Sequence, residues 1–350
     1  MLASETRSNL TADIGAITPP TGDAWKSIVR PVEPFLLAVS DQLSAQIQEF
    51  EPDIASYAEY ALTAQGKQLR PALVALAGGA VGKVNEDHVR AAVIIEMVHL
   101  ATLVHDDVMD EAGLRRGRPT LAANWGNEIS VLVGDCLFAH ALKLAASFPT
   151  PEICRAVASA TNTVVTGEIL QTQRRNRIDL ARAEYFKVLE MKTGELFALS
   201  CDLGAFLSRS TNGQRTALRN YGMTVGTAYQ VYDDCLDLYG VESAAGKSLG
   251  TDLAKGKLTL PILVLLERAT PQERRRLTNL LGNWEPVHHA EVLKLLQRHS
   301  VLAEAQTDVR RFLDSAGRAL QSLPESASRN SLAGFIQFLA QQTDGLARSV

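Results

Sequence analysis

The sequence predicts an all-α protein, a bundle of long helices packed around a deep cavity. Three observations predict it. Apolar residues recur at helical spacing: Leu332, Phe335, Ile336 and Leu339 step by three, one and three, and Val309, Phe312, Leu313, Ala316 and Leu320 do much the same. From Val89 to Ala112 there is neither glycine nor proline, and the apolar content is too long and too continuous for a strand. Alternating strand patterns bounded by turn pairs are nearly absent.

Composition sets the frame. Of 350 residues, 46% are apolar, enough for a substantial core. The 35 basic and 39 acidic side chains leave a charge of −4, which argues against nucleic acid or an anionic membrane as partner. Cys136, Cys154, Cys201 and Cys235 show no CxxC spacing and read as reduced core thiols. With no signal peptide visible, a cytoplasmic protein is expected. The longest apolar run, "AAVIIEMVHLATLV" (91–104), is too short for a membrane span and contains Glu and His, so no transmembrane segment is expected.

The elements follow in chain order. Residues 1–22 are polar and hold a Pro-Pro pair, which predicts a loosely ordered tail before a single all-α domain over 23–350. "GKQLRP" (66–71) suits a helix start and carries Lys67 and Arg70. A core helix then runs to Asp110, and "EAGLRRGRP" (111–119) ends it. Further breaks at "NWGN" (124–127), "SFPTP" (147–151), "STNGQ" (210–214), "ATPQE" (269–273), "GNWEP" (282–286) and "LPE" (323–325) imply roughly a dozen helices.

Two of these helices carry acid. On the first, Glu96, His99, Leu103, Asp106 and Asp110 form one stripe, with Asp107 about 100° round. On the second, "YGMTVGTAYQVYDDCLDLYG" (221–240), Asp233, Asp234 and Asp237 repeat the D-D-x-x-D spacing, with Gln230 one turn earlier. Gly222 and Gly226 would let a neighbouring helix approach closely. One such cluster could be a solvated helix end. Two, each on an otherwise apolar helix, call for partners, since buried carboxylates are costly alone. Paired carboxylates on one side of a cavity are half of a Mg²⁺ site, and phosphate and water oxygens complete it.

Basic residues sit where such a phosphate would lie. Arg115 and Arg116 follow the first cluster, and planar guanidinium groups grip phosphate in a bidentate way. On this reading, acids and bases need not neutralise each other, because metal and diphosphate lie between them. "GKSLGTDLAKGK" (246–257) offers Lys247, Lys255 and Lys257 on a glycine-rich loop that is not a Walker motif, and Lys192 stands in "EMKTGEL".

With DDVMD, RRGRPT, DDCLD and GKQLRP in this chain, the sequence resembles the all-trans polyprenyl diphosphate synthases. "WGNEISVLVGDCLFAHAL" (125–142), "GEILQ" (167–171), "KTGELF" (192–197) and "GKSLGTDLAKGKLTLPIL" (246–263) extend the likeness over residues 60 to 265. The resemblance implies an isoprenoid synthase fold of long antiparallel helices, a homodimer, and head-to-tail condensation of isopentenyl diphosphate onto an allylic diphosphate. It implies Asp106, Asp107, Asp110, Asp233 and Asp237 as ligands of Mg²⁺, on the order of three ions bound with the diphosphate. Asp234 joins them as a catalytic carboxylate. Arg115, Lys192, Thr193, Gln230, Lys247 and Lys257 would serve the allylic diphosphate, and Lys67, Arg70, His99 and Arg116 isopentenyl diphosphate. The chain has Gln68 where the family often has Arg, and Tyr229 where Phe is common.

Ala101 and Thr102 lie one turn below Asp106 and are small, which leaves an apolar tunnel open; the family's trend then favours a product of about C30–C50, with Phe138 available to stop it lower down. Three rivals remain: a shorter-chain synthase, a class I terpene cyclase, and a non-catalytic partner subunit. DDCLD disagrees with a cyclase, and the six aspartates disagree with a lost metal site. A di-iron bundle fails because the second ExxH, Glu285 to His288, contains Pro286.

Overall fold

A computed structural model describes residues 23–63, 66–240 and 250–346. The tail of 1–22 and Lys247 therefore lie outside the described residues. The chain is built from α1 (Asp23–Val29), α2 (Glu33–Gln46), α3 (Pro52–Leu62), α4 (Leu69–Val81), α5 (Glu86–Met109), α6 (Leu121–Ala146), α7 (Pro151–Gln173), α8 (Arg182–Leu189), α9 (Glu195–Leu207) and α10 (Asn212–Tyr239). A short α11 (Thr251–Ala254) precedes α12 (Leu260–Arg268), α13 (Pro271–Gly282), α14 (His289–Arg298), α15 (Val301–Leu320) and α16 (Ala327–Gly345). Among the described residues the strands are only Leu114–Arg115 and Arg118–Pro119, paired antiparallel.

Several of the long helices begin where the sequence supplies a cap. Asn85 and His88 form a reciprocal capping pair at α5, and Thr211 and Gln214 do so at α10. The break expected at "NWGN" is a kink inside α6, where Gly126 (φ 84°, ψ 166°) adopts a backbone that other residues avoid.

Helices α5, α9 and α10 form the centre: α9 packs between α4 and α10, and α5 packs against α6, α4 and α9. The close approach rests on glycine. A Cβ on Gly222 would lie 2.4 Å from the Phe197 carbonyl oxygen, and one on Gly226 2.9 Å from the Phe197 side chain. Val93, Ile94, Ile95, Met97 and Val98 put α5 in the largest apolar cluster, and this rigid setting positions its carboxylates.

Helix α6 departs from one expectation, that Cys136 is a core thiol. It is long and apolar enough to cross a membrane, which the 91–104 run is not. It packs on α5 along one side, and its other side exposes Val131 and Leu132 together with Glu128, Asp135 and Lys143. Cys136 lies on this outward side and is exposed, unlike the buried Cys201 and Cys235.

Candidate active site

The first cluster stands at the end of α5. Asp106 and Asp110 project one turn apart, and both meet cations. Lys192 Nζ lies 3.7 Å from Asp106 Oδ2. Asp110 meets three: Arg175 Nη2 at 3.2 Å on Oδ1, and Lys255 Nζ at 3.2 Å and Lys257 Nζ at 2.9 Å on Oδ2. Burial raises the Asp110 carboxyl, but Lys257 and then Lys255 outweigh it and hold the group below the usual carboxylate range.

Asp107 points elsewhere and is buried. Arg115 donates to its Oδ1 through Nε at 2.8 Å and lies 2.7 Å from it through Nη2. One acid and one base of the two motifs thus pair directly. The reason is the hairpin: Arg116 (φ 54°) and Gly117 (φ 73°) both take left-handed backbone, the geometry of a tight two-residue turn. The turn folds Arg115 back beneath α5 and sends Arg116 toward Gly66, where an added Cβ would meet the guanidinium at 2.4 Å. Burial raises the Asp107 carboxyl, opposed by Arg115.

A wide π-helical turn, Glu190–Gly194, joins α8 to α9 and carries Lys192 and Thr193. Lys192 Nζ reaches Glu168 Oε2 at 2.5 Å and donates to Gln171 Oε1 at 3.0 Å, both on α7. Burial lowers the Lys192 ammonium, but Asp106 and Glu168 raise it further, so it is firmly charged. The next residue, Thr193, donates to Gln230 Oε1 at 2.9 Å on α10. Two adjacent side chains thus bridge the first acidic helix to the second.

On α10 the three aspartates diverge. Asp234 is buried, accepting from Tyr185 Oη at 2.6 Å and from Gln230 Nε2 at 2.8 Å. Burial, then the charge of Asp252, pushes its carboxyl well above the usual range. Asp237 is also buried, and it accepts from Thr251 N (3.3 Å), Thr251 Oγ1 (3.1 Å) and Asp252 N (3.1 Å). It therefore anchors the segment that delivers Lys255 and Lys257. Asp233 is half-buried one turn beyond Tyr229, whose phenol is pushed up to about 12 by burial and then by Asp233.

A second basic group lies beside Glu96 and His99. Arg70 is near the N-terminus of α4, its guanidinium 5.1 Å from the Phe197 ring centroid. Burial, then Arg70, Arg116 and Arg115, hold the His99 imidazole well below the usual range. Glu96 is raised by burial, with Arg70 and Arg116 opposing. Lys67 is exposed on the segment leading into α4, and its carbonyl accepts from Trp25 Nε1. Ala101 is buried below Asp106, and Thr102 is half-buried with its hydroxyl spent on the His99 carbonyl at 2.7 Å.

Sequence reasoning assigned no role to Arg175, Glu168 or Tyr185. "GEILQ" contained the signal for Glu168; the other two are visible only through contacts between distant residues. Among the described residues no three His, Cys, Asp or Glu side chains gather into a ready-made cage. The donors present are hard carboxylate oxygens on one helical face with cations among them, a set suited to Mg²⁺ sharing phosphate oxygens.

The polyprenyl synthetase family model matches residues 51–298. An octaprenyl diphosphate synthase of Haemophilus influenzae is 33% identical over 87% of this chain and 93% of its own length. The crystal structure of a decaprenyl diphosphate synthase from Rhodobacter capsulatus superposes with a TM-score of 0.85, at 31% identity, over 91% of this chain and 99% of that one. A polyprenyl synthase from Caulobacter crescentus, complexed with calcium and isoprenyl diphosphate, gives the same score and identity over 90% and 97%.

Proposed function

The chain belongs to the polyprenyl synthetase family, whose members are prenyltransferases, and we propose that it is the Mg²⁺-dependent, long-chain trans-type. It would condense isopentenyl diphosphate head-to-tail onto an allylic diphosphate, giving an all-trans product of about C30–C50 along an apolar tunnel. The single observation that carries this reading is the interleaving of charge at the end of α5. Asp106 and Asp110 face Lys192, Lys255, Lys257 and Arg175, and Thr193, next to Lys192, reaches across to α10.

Asp106, Asp107, Asp110, Asp233 and Asp237 would hold about three Mg²⁺ ions. Bound there, the metal supplies Lewis acidity to the departing diphosphate. Lys192, Lys257, Arg115 and Lys247 would bind that diphosphate and stabilise charge as the allylic C–O bond breaks. Thr193 and Gln230, bonded to each other, would serve the same diphosphate. Lys67, Arg70, His99 and Arg116 would orient isopentenyl diphosphate so that its double bond attacks the cation. The C–C bond forms, and the proton lost passes to the released diphosphate.

The homodimer belongs to the same reading. The outward side of α6, with Val131 (41% exposed) and Leu132 (55% exposed), suits a second copy better than water. Light scattering of wild type against Leu132→Glu checks it. A cytoplasmic working place is part of the proposal.

The test is incubation with Mg²⁺, radiolabelled isopentenyl diphosphate and farnesyl diphosphate, followed by product chain length. A ladder ending at long polyprenols, abolished in Asp106→Ala and Asp233→Ala, is expected. Arrest at fifteen or twenty carbons would leave a short-chain synthase. No product from any primer would leave a non-catalytic subunit.

A further inference from the structure

Arg175 lies two residues past the end of α7 and belongs to none of the motifs above. Its Nη2 is 3.2 Å from Asp110 Oδ1, while its Nε is buried and finds no partner among the described residues. The turn that carries it is clamped to the segment that carries two lysines. Asn176 N donates to the Gly256 carbonyl at 2.8 Å, and a Cβ on Gly256 (φ 67°) would sit 2.3 Å from Asn176 Oδ1. This clamp sets Arg175 beside Lys255 and Lys257, so three cations share one carboxylate.

Asp107 is matched by Arg115, and Arg174 by Glu184. At Asp110 one carboxylate faces three cations, Arg175, Lys255 and Lys257, while Asp106 and Glu168 face Lys192. A guanidinium with one edge on a carboxylate and a desolvated Nε–H to spare is poised to grip a second oxyanion.

We propose that Arg175 is a further diphosphate-binding residue of the allylic site. Asp110 is the counter-ion that holds Arg175, Lys255 and Lys257 in register until a diphosphate takes them. The inference rests on the metal–diphosphate reading of the aspartate cluster given above.

The experiment is titration calorimetry of the full chain with inorganic pyrophosphate, comparing heats with and without saturating Mg²⁺. Wild type should bind in a Mg²⁺-dependent way that Asp106→Ala abolishes. Arg175→Gln should weaken that binding about tenfold, the loss of one charge-assisted contact, and leave KM for isopentenyl diphosphate unchanged. Affinity within twofold of wild type overturns the inference and leaves Arg175 a clip between α5 and α7. Should Arg175→Gln not fold, Arg175→Lys decides: a fall of about threefold supports the role of the planar fork, and no fall overturns it. Absence of Mg²⁺-dependent binding in wild type overturns the site reading itself, and the inference with it.

Discussion

The Tyr185 hydroxyl donates to Asp234 Oδ2 at 2.6 Å, and Asp234 in turn takes the Gln230 amide on its other oxygen. A residue on α8 thereby sets the rotamer of Gln230, which receives Thr193. The second aspartate of the C-terminal cluster acts inward, through its neighbours.

Tyr185→Phe should therefore lower kcat about tenfold, as loss of an outer partner commonly does, with the KM of both diphosphates little changed. Steady-state kinetics on both substrates checks it. A rise in KM with kcat intact would mean that the chain of hydrogen bonds serves binding instead.

His99 should stay neutral where ordinary histidines titrate. Burial and the guanidinium groups depress its folded pKa, while the unfolded chain protonates it near pH 6.5. Its contribution to stability is thus present above that pH and lost as the pH falls toward the folded value. NMR should show a neutral ring at about pH 6, and His99→Gln should flatten the loss of stability on acidification. A ring signal titrating at the ordinary value would sink the argument.

Gly222→Ala should be destabilising by roughly 3 kcal/mol, because the new methyl meets the Phe197 backbone and neither helix can yield cheaply. Urea unfolding gives the value. A change below about 0.5 kcal/mol would show that α9 and α10 can separate without cost.

Thr102→Phe should shorten the product. The side chain is half-buried one turn below Asp106 and its hydroxyl is already bonded to its own helix, so no polar contact with a substrate is lost. Chromatography of the released alcohols reads the outcome, and an unchanged ladder would place the stop elsewhere.

Much of the arrangement is legible in the sequence. The apolar spacing on α15 and α16 gave the all-α class, because helical period appears directly in the order of residues. The same period put Asp106 and Asp110 on one face of α5, and Gly222 and Gly226 announced the approach of α9. The hairpin was not legible. "RRGRP" marks a turn, yet only its folded form decides that Arg115 turns back onto Asp107 while Arg116 turns toward Gly66.

By itself the sequence determined the fold class, the family and which helices bear the carboxylates, since each depends on local spacing or on motif identity. Tertiary structure alone decided which charges meet. Asp110 and Arg175 are 65 residues apart, and Asp110 and Lys257 are 147 apart. A helical period says toward which side a carboxylate points but not what stands opposite. Likewise the D-D-x-x-D repeat on α10 treats its aspartates alike, while packing gives Asp234 to Tyr185 and Asp237 to the backbone of 251–252. A buried carboxylate must be satisfied by whatever the fold brings within hydrogen-bond reach, and that partner is set by how the helices stack.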